Sequence, residues 1–155
     1  MKYSNIFTLL AKDISTDASD SMNTYTKVLD TFNAEVDADE LAKQGIKLGE
    51  QPIILPINFA IGTSWTLGEQ TAEDTFLTVK INIVDPKGKE LGGPEQEHQL
   101  PAGINRLNIN FNNNGLPITV KGDYVLQSLL VDRAGKVLAQ GEYPFIVNVE
   151  QHKKA

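Results

Sequence analysis

Val84-Asp85-Pro86-Lys87-Gly88-Lys89 returns 47 positions later as Val131-Asp132-Arg133-Ala134-Gly135-Lys136, and each copy is followed two residues on by a leucine, Leu91 or Leu138. Both copies read as β-hairpin tips. The aspartate accepts hydrogen bonds from backbone amides inside the turn, and Pro86 or Arg133 suits the first central position. Gly88 or Gly135 takes the positive φ that closes a type I turn with a bulge. Apolar residues flank both tips at strand spacing, so the repeat speaks for an antiparallel β-sandwich rather than for any chemistry. Outside the tips the copies agree weakly, Ile81 aligning with Ser128, and turn chemistry alone accounts for the recurrence.

Outward from the tips the strand pattern continues. Phe76 to Val84 alternates, with Leu77, Val79, Ile81 and Ile83 on one face and Thr78, Lys80 and Asn82 on the other, the signature of a strand crossing a core. Ile104 to Phe111 alternates in the same way, Leu107, Ile109 and Phe111 against Arg106, Asn108 and Asn110. Tyr124 to Val131 and Lys136 to Val149 pair around the second tip, with Phe145, Val147 and Val149 facing inward. Tyr3 to Ile14 reads as a first strand, and Thr24 to Val36 as its hairpin partner. Between Asp37 and Gly45 an acidic start, helix formers, a late Lys43 and a terminal glycine predict one short helix. Ile53 to Ile61, preceded by Pro52 and broken at Pro56, reads as an edge or bulged strand. The count is seven to nine strands in one domain over residues 1–150, followed by a C-terminal tail, 151–155.

Phe7-Thr8-Leu9-Leu10-Ala11-Lys12-Asp13-Ile14, then Val28-Leu29-Asp30-Thr31-Phe32, with a closing Gly122-Asp123-Tyr124 and Val131 to Leu138, resembles an uncharacterised bacterial family of small immunoglobulin-like β-sandwich proteins. The resemblance implies the fold and brings no catalytic residues; against it, Asp37 to Gln51 looks like an insertion. Gly122-Asp123-Tyr124 also resembles the Gly-x-Tyr lead-in to a late strand of immunoglobulin-like domains, where the tyrosine hydroxyl ties back to nearby backbone.

Composition narrows the function. A net charge of −6 and a pI near 4.9 oppose a nucleic-acid surface, since such binding relies on clustered Lys and Arg releasing counterions. The absence of cysteine removes disulfides, thiolate metal sites and a cysteine nucleophile together. No run approaches the roughly 20 apolar residues of a membrane span, so the expectation is a cytoplasmic chain with no membrane partner.

The residues offer little for catalysis. The only histidines are His98 and His152; His98 sits among Glu95, Glu97 and Gln99 on what reads as a solvated polar strand. No Gly-x-Ser-x-Gly elbow and no phosphate loop occurs. The carboxylates Asp13, Asp17, Asp20, Asp37, Asp39 and Glu40 match no calcium loop. No metal and no cofactor is therefore expected.

Two features suit a binding face. Arg106, Asn108, Asn110 and Asn112 form a polar ladder able to hydrogen-bond a sugar or another protein's backbone, or else the ordinary water-facing side of a half-buried strand. Trp65 is either a packing residue or a platform for a ligand or partner. The leading expectation is a non-catalytic protein-binding or assembly module, with a protein partner or homo-oligomer joined through an edge strand. Tyr3 to Ile14, free of proline, is either paired on both sides or that edge. A carbohydrate-binding sandwich using Trp65 and the ladder is the alternative, as is a structural subunit of a phage or other particle.

Overall fold

The computed structural model describes residues 3–16, 23–68 and 75–152. The chain runs β1 (Ser4–Thr16), β2 (Asn23–Val28), β3 (Thr31–Asp37), α1 (Ala38–Lys43), β4 (Ile53–Leu55), β5 (Phe59–Thr66), β6 (Thr75–Val84), β7 (Glu95–Leu100), β8 (Arg106–Asn113), β9 (Leu116–Ile118), β10 (Gly122–Asp132) and β11 (Val137–His152). One sheet has the order β2-β1-β5-β8 and the other β3-β11-β10-β6-β7, while β4 and β9 form a separate two-stranded ribbon. It is an all-β sandwich with one short helix.

Alternation builds the core. Leu77, Val79, Ile81 and Ile83 of β6 share one buried cluster with Leu107, Ile109 and Phe111 of β8, Tyr124, Leu126 and Leu130 of β10, and Phe145 and Val147 of β11. Phe32 and Phe145 meet edge to face at 5.6 Å, and Tyr124 stacks on Phe145 at 5.4 Å. Such pairs add directional attraction to the area they bury.

Both repeated tips form the expected turn. Asp85 Oδ1 accepts from the Lys87 and Lys89 amides at 2.9 and 2.8 Å, and Asp132 Oδ1 accepts from the Ala134 and Lys136 amides at 3.0 and 2.9 Å. Gly88 and Gly135 lie at φ 84 and 86°, where a side chain would be strained. After the first tip, Gly92-Gly93-Pro94 breaks the regular strand but not its pairing, because the Ile83 and Ile81 amides donate to the Gly92 and Pro94 carbonyls.

The structure departs from the sequence pattern in four places. The run from Thr24 to Val36 is two strands: β2 returns along β1, and β3 crosses to the other sheet, where it lies parallel to β11. The segment after Pro52 also divides, into β4 on the ribbon and β5 at the centre of a sheet. These divisions and the ribbon bring the described strands to eleven. Finally, β11 extends through His152, so the C-terminal strand includes the first residues of the expected tail.

The helix forms as its sequence signals require. Asp37 caps it, accepting from the Asp39 and Glu40 amides at 2.9 and 3.2 Å, and Gly45 at φ 71° ends it. It buries no residue completely and sits beside the end of β3. Among the described residues, no helix is long and apolar enough to cross a membrane.

Candidate functional site

The residues of the polar ladder all lie on β8, the last strand of its sheet. The register with β5 places Thr66 opposite Arg106 and Phe59 opposite Asn113 without a shift. The Leu67 amide donates to the Asn105 carbonyl at 2.9 Å, and this bond fixes the phase of the antiparallel ladder. Residues 105, 107, 109 and 111 turn their backbone groups toward β5. The N–H and C=O of Arg106, Asn108, Asn110 and Asn112 therefore point to the open side, where no described strand lies. The same four residues present their side chains on the outer face of the sheet.

That outer face is not a plain water-facing surface. The distal part of the β1–β2 hairpin folds over it. Tyr25 donates to Asn110 Oδ1 at 3.3 Å and meets the Phe7 ring edge to face at 5.6 Å. A Cβ added at Gly62 would stand 2.4 Å from the Tyr25 ring, so only glycine admits the ring this close. Burial pushes the Tyr25 phenol above its ordinary value, partly offset by a hydrogen bond with Asn23. The outer residues of β5 under the hairpin are Ala60, Gly62 and Ser64, all buried. This stripe of small residues was the legible signal of a close approach, and sequence reasoning missed both it and Tyr25.

Between hairpin and sheet lies a cleft of about 290 Å³ lined by Asn23, Tyr25, Phe7, Ile6, Ser64, Asn108 and Arg106. Ser64 Oγ and Asn108 Oδ1 are 2.6 Å apart, which leaves the Asn108 amide nitrogen to face outward. Among the described residues Arg106 makes no ion pair. The cleft can thus offer a cationic donor and amides above an aromatic wall. A larger cleft of about 400 Å³ between α1, β3 and β4 has Val36, Leu41, Ile53 and Glu40 in its lining.

Trp65 is fully buried. Its Nε1 donates to Thr63 Oγ1 at 3.0 Å, and that hydroxyl donates to the Ile109 carbonyl at 2.9 Å. It therefore lies on no surface, which corrects the platform alternative. Its inward phase on β5, opposite Leu107, is the reason. The ladder residues remain at the surface, although Asn110 is half-buried beneath Tyr25.

Tyr124 occupies the expected corner: its hydroxyl donates to the Val120 carbonyl and accepts from the Thr119 amide at 2.9 Å. His98 lies on β7 with Nε2 buried and unbonded, and desolvation lowers its pKa; it is less solvated than its polar neighbours suggest. Asp17 and Asp20 lie outside the described residues, and among the described residues no three metal-ligating side chains cluster.

The strand order, the parallel β3–β11 pair and the tyrosine corner define an immunoglobulin-like sandwich. No protein-family description matches the chain, and no curated protein matches it. Among solved structures, an immunoglobulin-like protein from Pseudomonas aeruginosa aligns over 96% of this chain and 98% of its own, with 17% identity and a TM-score of 0.32. A β-glucuronidase from Bacteroides uniformis aligns over 63% of this chain with 16% identity and a TM-score of 0.47, and the alignment spans only 12% of that enzyme. The Pseudomonas fluorescens alkylpurine DNA glycosylase AlkC aligns over 91% of this chain and 30% of its own, at 14% identity and a TM-score of 0.37. At these TM-scores none of the three bears on what the chain does.

Proposed function

We propose that the protein is a non-catalytic protein-binding or assembly module that works by accepting a strand along β8. The observation that supports this reading is the row of outward backbone donors and acceptors at Arg106, Asn108, Asn110 and Asn112. β8 has eight residues, no proline and one charge, whereas natural edge strands are usually blunted by charges, proline or bulges. The other described edges carry such devices. On β7, Glu95 and Glu97 pair with Lys80 and Arg133; β2 has Lys27 at φ 51°; and β3 ends in Glu35 and Asp37.

The test uses Asn112→Pro, which removes an outward N–H without removing a bond to β5. Proteins cross-linked to the native chain in its source cells are compared with those captured by the variant. Loss of a defined partner, or of self-association, is expected; an identical set of cross-links with both proteins overturns the reading.

The cleft under the hairpin supports a second reading, a carbohydrate-binding module using Arg106, Asn108 and Asn23 above Phe7. Because Trp65 is buried, its fluorescence is a poor reporter of that cleft. Amide shifts of Ser64, Asn108 and Asn23 against a glycan panel supply the check, and unmoved shifts throughout the panel reject this reading.

A further inference from the structure

The open edge of β8 is complementary to itself. Its outward-facing groups fall at residues 106, 108, 110 and 112, symmetric about Ile109. We infer that the occupant of this edge is β8 of a second copy, running antiparallel about a two-fold axis, so that two four-stranded sheets join edge to edge. The inference rests on the strand-addition reading above and names its partner.

The register follows from geometry. In an antiparallel ladder the residues that exchange both backbone bonds lie directly opposite each other. With the axis at Ile109, Arg106 faces the second copy's Asn112, and Asn108 faces the second copy's Asn110. Every outward N–H and C=O of these four residues then meets its complement, giving about eight bonds from four such pairs. An isologous contact of this kind closes on itself and does not propagate into a filament.

Charge supports self-pairing. A chain of net charge −6 repels its own copies through most of its surface, but β8 carries no carboxylate. The two Arg106 residues fall at opposite ends of the joined strands, about 20 Å apart at roughly 3.4 Å per residue, a distance over which salt largely screens them. Each has only a neutral asparagine opposite. A similar pairing of β7 would crowd its two glutamates against those of the copy.

Asn112 is the position that tests this register, because its side chain is exposed and faces only Arg106 of the copy. Dimerisation is measured by sedimentation equilibrium over a wide concentration range on the native chain, Asn112→Glu, Asn112→Lys and Asn112→Pro. Asn112→Glu should tighten the dimer several-fold, Asn112→Lys should weaken it several-fold, and adding Arg106→Glu to Asn112→Lys should restore it, since opposite charges across a strand pair attract and like charges repel. Asn112→Pro should leave a folded monomer. A native chain that stays monomeric at every concentration, or a dimer indifferent to the charge swaps, overturns self-pairing.

Hydrogen exchange at the Arg106, Asn108, Asn110 and Asn112 amides separates the two levels. Fast exchange in a strict monomer removes the second copy as partner and leaves the edge open to another protein. Slow exchange in that monomer shows that the chain covers its own edge, and both the inference and the strand-addition reading then fall.

Discussion

Thr119 Oγ1 donates to Asp85 Oδ2 at 2.6 Å, and the Thr119 amide donates to the Tyr124 hydroxyl at 2.9 Å. One residue thus joins the first hairpin tip to the tyrosine corner. The two tips share a turn and differ here: Asp85 is buried with a third partner, while Asp132 has only its turn amides. Thr119→Val should therefore cost about 1.5–3 kcal/mol, the range for a hydrogen bond to a charged group. Asp85→Ala should cost more than Asp132→Ala. Urea denaturation measures all three, and equal losses at the two aspartates would show that the tie to Thr119 adds nothing to the turn.

The same contacts set an acid limb. Burial pushes Asp85 up, but bonds from Thr119, Lys89 and Lys87, with the Lys87 charge, outweigh it and hold the carboxyl below its ordinary value of 3.8. A carboxyl depressed in the native state contributes stability that is present above the ordinary value and is lost as pH falls through the native one. Asp85→Asn should flatten the pH dependence of unfolding below 3.8. An unchanged acid limb would assign the loss to other carboxylates.

His98 gives a separate step at higher pH. Desolvation holds its imidazole below the ordinary 6.5, so the native state prefers the neutral ring. Its stability is complete above 6.5 and declines as pH falls through the lowered value. His98→Leu should remove this decline and leave the lower limb of Asp85 in place. If the variant retains a decline just below pH 6.5, His98 is not its source.

Gly62 and Tyr25 form a lock between hairpin and sheet. Gly62→Ala must displace the Tyr25 ring, since the added carbon would lie 2.4 Å from it. Exchange of the Asn23 to Val28 amides should accelerate while the core amides stay protected. In Tyr25→Ala the added methyl has room, so the two substitutions should cost less together than the sum of their separate effects. Strict additivity would mean that ring and glycine do not touch in solution.

How much of this was legible depends on whether the signal was local. The tips were readable because Asp, Pro or Arg, and Gly encode a turn through their own backbone preferences. The β6 face and the Asp37 cap were readable for the same reason. The inward phase of Trp65 was not, because β5 is apolar or small on both faces and alternation is lost where both sides are covered. The polar ladder was visible on β8, but its place at a sheet edge depends on strand order, which no short stretch encodes. The sheet switch between Val28 and Thr31 was hidden for a related reason: β-rich residues continue across it, and only Lys27 at φ 51° marks the irregularity.

Ile81 tests the core itself. It is 3% exposed and packs within the shared cluster. Ile81→Ala should cost about 2–5 kcal/mol, as for other buried large-to-small changes. A loss under about 0.5 kcal/mol, the scale of surface substitutions, would place it outside the core.

Thr8 shows why β1 is not the associating edge. The strand lies between β2 and β5 in its sheet, and Thr8, 6% exposed, shares a 2.6 Å hydroxyl contact with the fully buried Ser128 of the opposite sheet. Gly141 of β11 stands so near that a Cβ there would lie 2.7 Å from Thr8 Oγ1, so the sheets close against each other at this end. Thr8→Val leaves the Ser128 hydroxyl with only its 3.4 Å bond to the Gly141 carbonyl and should cost about 1–3 kcal/mol, whereas Thr8→Val with Ser128→Ala should cost less than the sum of the single changes. Neither should shift the monomer–dimer equilibrium of the folded protein, in contrast to Asn112→Pro, which should shift it at little cost in stability. Denaturation and sedimentation on the native chain, the two single changes, their combination and Asn112→Pro separate these effects, and a Thr8 variant that dissociates a dimer while remaining fully folded would return the interface to β1.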